Sequence, residues 1–334
     1  MRLVHLWALS CPDVERTASL EHREVAKERI SFLGPAGTFT EEALLTQPDY
    51  SNAELVPLPT LQEVLEEVNE GRASIAFVPL ENAIEGTVNA TLDSLVFETD
   101  LLIQREVVLD VHLNLLAPPG TSMSTVRRVL SFPVATAQCR RFVHEQLTDA
   151  EIVATNSTAE AARILGETKA ADTAAIAPRL AARLYGLEVI APAIEDHPDN
   201  KTRFVAVAPK GIPAPTGHDK TSIVCFQRDD RPGNLHGILG QFAARSINLT
   251  KLESRPTKRS LGEYCFIIDM EGHVADELVA DCLRDLHAEL AGGVKFLGSY
   301  PAASDHGAAR RAEASASWKA ADAWIASLRE QLRR

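Results

Sequence analysis

Lys201-Thr202-Arg203-Phe204-Val205-Ala206-Val207-Ala208 followed by Pro209-Lys210-Gly211-Ile212-Pro213-Ala214-Pro215-Thr216-Gly217-His218 divides this chain in two. The first half is short, apolar and partly β-branched, which predicts a strand over 203–207. The second half holds three prolines and two glycines, a linker composition. A domain boundary is therefore expected at 209–219, with a larger region before it and a smaller one after.

Upstream, short apolar runs alternate with helical periodicity from Ile30 onward. Strands are predicted at 30–33, 54–58, 74–78, 107–111, 126–130, 151–154, 173–176 and 203–207. Helices are predicted at 40–45, 61–69, 88–95, 136–147, 158–166 and 177–185. Alternating strands and helices make βαβ units, an α/β region with mainly parallel sheet. Downstream, the order is strand 222–226, helix 235–245, strands 249–254 and 264–270 around a polar turn at 259–262, helix 278–290 and strand 294–298. This βαββαβ order in about 80 residues is the ferredoxin-like arrangement. In the tail, 301–334, Trp318, Ala321, Ile325, Leu328 and Leu332 form one stripe of an amphipathic helix. It is read as docked on its own protein or on a subunit partner.

Composition limits the function. The chain has 334 residues and a formal net charge of −12, which suits about two domains and argues against nucleic-acid binding, since no broad basic face can meet phosphates. The five cysteines are dispersed, with no C-x-x-C pair, as expected in a reducing cytoplasm. No metal-ligand spacing occurs, and no cofactor motif is present. Residues 1–28 read as an N-terminal extension rather than a signal peptide, and no run approaches the roughly 20 apolar residues of a membrane span.

Four segments carry candidate chemistry. In Gly34-Pro35-Ala36-Gly37-Thr38-Phe39-Thr40, a strand enters a two-glycine loop and then a helix. Gly37 and Thr38 suit an anion at a helix N-terminus, although the segment alone favours a tight turn with a threonine cap. Pro79-Leu80-Glu81-Asn82 with Gly86-Thr87 puts polar groups directly after an apolar strand, where a βα loop faces a cleft. Ser131 ends the next strand, and Gln138-Cys139 follow near a helix start; Cys139 reads as a buried, inert thiol. Ser157-Thr158 opens a further helix, as a cap or a ligand contact. Asn200-Lys201-Thr202-Arg203-Phe204 enters the strand before the linker.

In this order and spacing, the four segments resemble the prephenate dehydratase family. Gly233-Asn234-Leu235-His236 and Glu253-Ser254-Arg255-Pro256 resemble the two effector-binding motifs of an ACT domain, with Asn234 where a small alanine is usual. The resemblance covers roughly residues 29–300. It implies two α/β subdomains around a cleft, as in periplasmic binding proteins, spanning 29–107 with 196–208, and 108–195, with an ACT domain over 220–300. It implies conversion of prephenate to phenylpyruvate with loss of carbon dioxide and water, without a cofactor. It also implies feedback regulation by L-phenylalanine bound between paired ACT domains of a homodimer or homotetramer.

Carried over residue by residue, Thr202 becomes the donor to the leaving hydroxyl. Asn82, Ser131 and Gln138 orient the substrate, with Glu81 supplying protons or ordering the loop. Gly37, Thr38, Thr87, Ser157, Thr158 and Phe204 line the substrate. Arg203 is read as structural, with pairing to a substrate carboxylate as the alternative. Arogenate dehydratase is the nearest rival, and a non-catalytic amino-acid-responsive binding protein a more distant one.

Overall fold

The computed structural model describes residues 28–50, 52–227, 231–258, 262–290, 292–303 and 308–331. The expected N-terminal extension and most of the 259–262 turn lie outside them, as does Leu332. Among the described residues, the strands form three sheets, two before residue 209 and one after.

The first sheet runs in the order Glu54–Leu58, Arg29–Leu33, Ile75–Asn82, Lys201–Ala208, Leu102–Asp110. Its first three strands are parallel, but Lys201–Ala208 is inserted antiparallel to both neighbours. The second runs Glu188–Ala191, Asn114–Ala117, Thr173–Ala177, Arg128–Ser131, Glu151–Ala154. There the pairings on either side of Asn114–Ala117 are antiparallel. The expectation of mainly parallel sheet is thus corrected to mixed sheet. The chain crosses between sheets and returns, and a returning strand meets its neighbours head to tail. Three strands before residue 209 were not anticipated: Gly86–Thr87, Asn114–Ala117 and Glu188–Ala191. Asn114–Ala117 is buried at every position, so it has no alternation to betray it.

Two local departures shape the site. First, the strand expected to stop at Val78 continues through Asn82. Arg203 pairs with Glu81 but Phe204 pairs with Pro79, leaving Leu80 as an extra residue. Proline has no N–H to give to a ladder, and a bulge beside it re-aims the residues that follow. Second, the helix expected over 136–147 is two helices, Pro133–Gln138 and Arg140–Gln146. Asp196 causes the break. Its N–H donates to the Gln138 carbonyl at 2.6 Å, and its carboxylate accepts from Arg141 N at 3.2 and 3.3 Å, capping the second helix.

The third sheet is antiparallel, in the order Leu249–Pro256, Tyr264–Glu271, Asp219–Phe226, Val294–Pro301. One face carries helices Asn234–Ala243 and Glu277–Glu289 over a core including Ile223, Ile268, Phe242 and Leu286. The other face, with Val224, Cys265, Ile267, Leu297 and Tyr300, shares one core with Val96, Ile103, Val205 and Val207 of the first region. The two backbones come close at Gly298, where a Cβ would stand 2.5 Å from the Ile103 carbonyl oxygen. Despite the linker, the small domain is therefore seated on the first sheet. The tail forms helix Ala308–Glu330. Its Ile325 and Leu328 are exposed, so this part of the stripe is not docked on its own chain. No described helix is long and apolar enough to cross a membrane.

Candidate active site

Strand alternation sorts the residues of the returning strand. Thr202 lies opposite Asn82 in the ladder, and Arg203 opposite Glu81. The two pairs point to opposite faces of the sheet, and only the first faces the cleft between sheets.

On the cleft face, Thr202 is 9% exposed. Its hydroxyl oxygen accepts from Asn82 Nδ2 at 2.8 Å. The orientation of the Asn82 amide is set by its other end, where Oδ1 accepts from the Ile84 and Glu85 N–H groups, both at 3.0 Å. Asn82 Nδ2 also donates to Asn200 Oδ1 at 3.0 Å. Asn200 in turn donates to Gln138 Oε1 at 3.2 Å, and Gln138 Nε2 donates across the cleft to Glu85 Oε1 at 3.0 Å. Thr202, Asn82 and Gln138 are thus brought together, joined by two residues that sequence reasoning missed. Asn200 was legible as the residue two positions before Thr202, on the same side. Glu85 lay unweighted inside a segment already singled out.

With Asn82 donating to its oxygen, Thr202 keeps its own proton free to point into the cleft. A hydroxyl is a weak acid in water, but a donor that is polarised and held in place needs no reorganisation when charge develops on an acceptor.

A second contact closes the cleft. Tyr185 donates its hydroxyl to the Ala36 carbonyl at 2.7 Å. Gly37, at φ +89°, packs so tightly that a Cβ would sit 3.2 Å from Ala181 and from the Tyr185 ring. The crossing between the two sheets is stitched by Glu195, which accepts from Leu113 N at 2.9 Å and meets His112 Nδ1 at 2.9 Å.

The other expected residues are placed differently. Thr38 and Ser157 each cap their own helix, accepting from Glu41 N at 3.3 Å and Glu160 N at 3.0 Å. Thr158 follows at the first helical position, where amides have no carbonyl of their own helix to meet. Buried Ser131 bonds to the Phe132 carbonyl at 3.2 Å. Phe204 is buried in the first core, stacked on Phe77 with centroids 5.7 Å apart. Cys139 is fully buried; burial first, then the nearby Glu195 and Asp196 carboxylates, push its thiol well above the ordinary range.

Glu81, Thr87 and Arg203 face the small domain. Arg203 donates to Asp269 Oδ2 at 2.6 Å and to the Tyr300 hydroxyl at 2.8 Å. Its Nε lies 2.6 Å from Glu106 Oε2 as an ion pair, without the N–H directed at the oxygen. Lys220 donates to both Glu106 oxygens at 2.9 and 2.8 Å, and Ser222 donates to Asp269 at 2.6 Å. Two cations and two anions are therefore buried together. Removing one partner of such a set costs about 3–5 kcal/mol, because it strands a charge. Burial pushes the Asp269 and Glu106 carboxyls up, but Arg203 and the remaining partners outweigh it and hold both below the ordinary range. Glu81 approaches Lys251 Nζ at 3.3 Å and Arg203 Nη1 at 3.5 Å. Thr87 donates to Glu253 at 2.6 Å and accepts from Lys251 at 2.7 Å.

The two effector-like motifs occupy different parts of the small domain. Gly233, at φ +91°, precedes helix Asn234–Ala243, beside a cavity of about 320 Å³ that Asn234, Gly237 and Glu289 also line. Leu235 and His236 line a neighbouring cavity of about 370 Å³. None of Glu253, Ser254, Arg255 and Pro256 lines either. Instead Arg255 pairs with Asp93 and donates to Asn89 Oδ1 at 2.7 Å, while Ser254 and Pro256 are exposed. Among the described residues, no group of three or more His, Cys, Asp or Glu is arranged to hold a metal.

A family model for prephenate dehydratase matches residues 30–211, and one for the ACT domain matches 221–288. A curated relative, the prephenate dehydratase of Mycolicibacterium vanbaalenii, is 42% identical over 86% of this chain and 96% of its own length. Among solved structures, the prephenate dehydratase of Arthrobacter aurescens in complex with L-Phe has 41% identity and a TM-score of 0.81, over 90% of this chain and 99% of that one. A protein described as a novel type of quorum quenching acylase has 30% identity and a TM-score of 0.73, over 82% of this chain and 98% of that one.

Proposed function

The chain belongs to the prephenate dehydratase family and converts prephenate to phenylpyruvate, and we propose that Thr202 is its donor to the departing hydroxyl. The reaction expels the ring carboxylate as carbon dioxide and the ring hydroxyl as water, and aromatisation drives it. What it asks of a protein is a held substrate and a proton, or a strong hydrogen bond, at the breaking carbon–oxygen bond. The single observation that carries this reading is the Asn82 amide donating to Thr202 Oγ1 at 2.8 Å, which leaves the threonine proton for the substrate. Asn82, Asn200 and Gln138 hold that geometry. The first-turn amides at Thr158 are suited to a substrate carboxylate. Arg203, Phe204, Thr87 and Glu81 act from behind the site, through packing and ion pairs.

Acyl transfer, suggested by the acylase relative, calls for a nucleophile activated by a base within reach. Cys139 is a poor candidate, since its thiol is buried and held away from ionisation. Arogenate is not favoured as substrate, because the Mycolicibacterium vanbaalenii relative, 42% identical, is a prephenate dehydratase.

The small domain is proposed to bind L-phenylalanine, as the Arthrobacter protein does, at the Gly233 cavities. Those cavities lack the second motif, which supports a site completed by a second copy of the chain, in a homodimer or homotetramer. A cytoplasmic location suits the four free cysteines found among the described residues. Side-by-side steady-state assays with prephenate and arogenate, each with and without L-phenylalanine, test the reading. Prephenate turnover that falls with added L-phenylalanine is expected. Absence of prephenate turnover refutes the catalytic reading, and indifference to L-phenylalanine refutes the regulatory one.

A further inference from the structure

We propose that the small domain positions the catalytic threonine, with Asp269 and Tyr300 acting through Arg203 as positioning residues for Thr202. The inference rests on the reading of Thr202 as the proton donor. It starts from neighbouring residues on two paired strands. Thr202 and Asn82 face the cleft, while Arg203 and Glu81, one residue away on each strand, face the small domain. Apart from Glu106 on the neighbouring strand, 2.6 Å from Arg203 Nε, what holds the second pair comes from the small domain. Asp269 Oδ2 and the Tyr300 hydroxyl hold the guanidinium at 2.6 and 2.8 Å, and Lys251 Nζ reaches Glu81 at 3.3 Å. Tyr300 is itself fixed, its hydroxyl 2.6 Å from that of Ser222.

Simple domain docking does not need this arrangement. Docking is already supplied by the shared core of Val224, Ile267 and Leu297 with Ile103 and Val205. An apolar contact would suffice there, and a buried ion set brings little net stability over one. What the ion set adds is direction. A guanidinium held by two acceptors fixes the Arg203 side chain along one line, and so fixes the backbone that also carries Thr202. The register shift between Arg203 and Phe204 lies at the same point. A bulge is where a strand is bent and its side chains re-aimed, so the Thr202 end of the ladder is the part most in need of an outside hold.

The test is a double-mutant cycle on the full-length protein, pairing Tyr300→Phe with Thr202→Ser and reading kcat, KM for prephenate and the thermal midpoint. Tyr300→Phe keeps the ring and its packing and removes only the hydroxyl. We expect kcat to fall at least fivefold with KM within twofold, and the double variant to lose less than the product of the two single losses. A folded Tyr300→Phe protein with unchanged kcat, or one whose loss multiplies independently with that of Thr202→Ser, overturns the inference. Asp269→Asn is the second probe. If it folds, it must show the same split between kcat and KM; if it does not, the Tyr300→Phe cycle decides alone. Thr202→Ala, run alongside, separates the failures. Full activity there defeats the reading of Thr202 itself, whereas an inactive Thr202→Ala with an uncoupled cycle defeats only the positioning role.

Discussion

Exchanging one atom type at Asn82 should reverse the polarity of the whole site. In Asn82→Asp, the oxygen that accepts from Ile84 and Glu85 remains, so the turn it caps is kept. The replaced Nδ2 stood 2.8 Å from Thr202 Oγ1 and 3.0 Å from Asn200 Oδ1. A carboxylate oxygen there accepts instead of donating, so the threonine proton turns toward it and away from the substrate. Two acceptors also face each other at Asn200, whose amide cannot reverse without losing its bond to Gln138. An unsatisfied polar group of this kind costs about 1–3 kcal/mol of stability. Loss of one preorganised donor costs about a hundred- to a thousandfold in kcat. Asn82→Ala removes the amide but leaves the threonine proton free, so its kcat should exceed that of Asn82→Asp by at least threefold, about 0.7 kcal/mol. Initial rates of phenylpyruvate formation, normalised to folded protein, measure both. Equal rates, or a faster Asn82→Asp enzyme, refute the proposed direction of the Thr202 hydrogen bond.

Tyr185→Phe removes the bond that ties the cleft shut at Ala36. A neutral hydrogen bond is worth about 0.5–1.5 kcal/mol, so KM for prephenate should rise roughly two- to tenfold with kcat little changed, and an unaltered KM would show that the contact does not hold the closed form. Acid should weaken the seat of the small domain. Asp269 and Glu106 have folded pKa values below their ordinary 3.8 and 4.5, so the unfolded chain binds more protons. Their stabilisation is therefore complete above those ordinary values and is lost as pH falls through the lower, folded ones. The thermal midpoint should drop as pH falls below about 4; a midpoint that holds or rises there contradicts the charge assignment.

Much of this was legible in the chain. Proline and glycine at 209–218 marked the linker, and Thr202, Asn82 and Gln138 were named before any geometry. What escaped detection has a common physical origin in long-range pairing. Asn114–Ala117 has no solvent face and so no period. The antiparallel insertion of Lys201–Ala208 depends on where the chain returns from, which local pattern does not encode. The split helix depends on Asp196, some 60 residues downstream of Gln138. Thr87 and Phe204 were assigned to substrate by resemblance, yet the fold gives Thr87 to Glu253 and Phe204 to the core. One signal was available and unused. Glu106 leads into the apolar Val107-Val108-Leu109 and Asp269 sits between Ile268 and Met270, and a buried carboxylate needs a partner. Arg203, Lys220 and Ser222 are those partners.

The most direct test of the central claim is turnover of prephenate by Thr202→Ala and Thr202→Ser, each compared with the unaltered chain. The alanine variant should fold, with a thermal midpoint close to that of the unaltered protein, and lose at least a hundredfold in kcat, about 2.7 kcal/mol. The serine variant, which restores a hydroxyl within reach of Asn82, should recover at least a tenth of the activity. Turnover by Thr202→Ala within threefold of the unaltered chain would contradict the account.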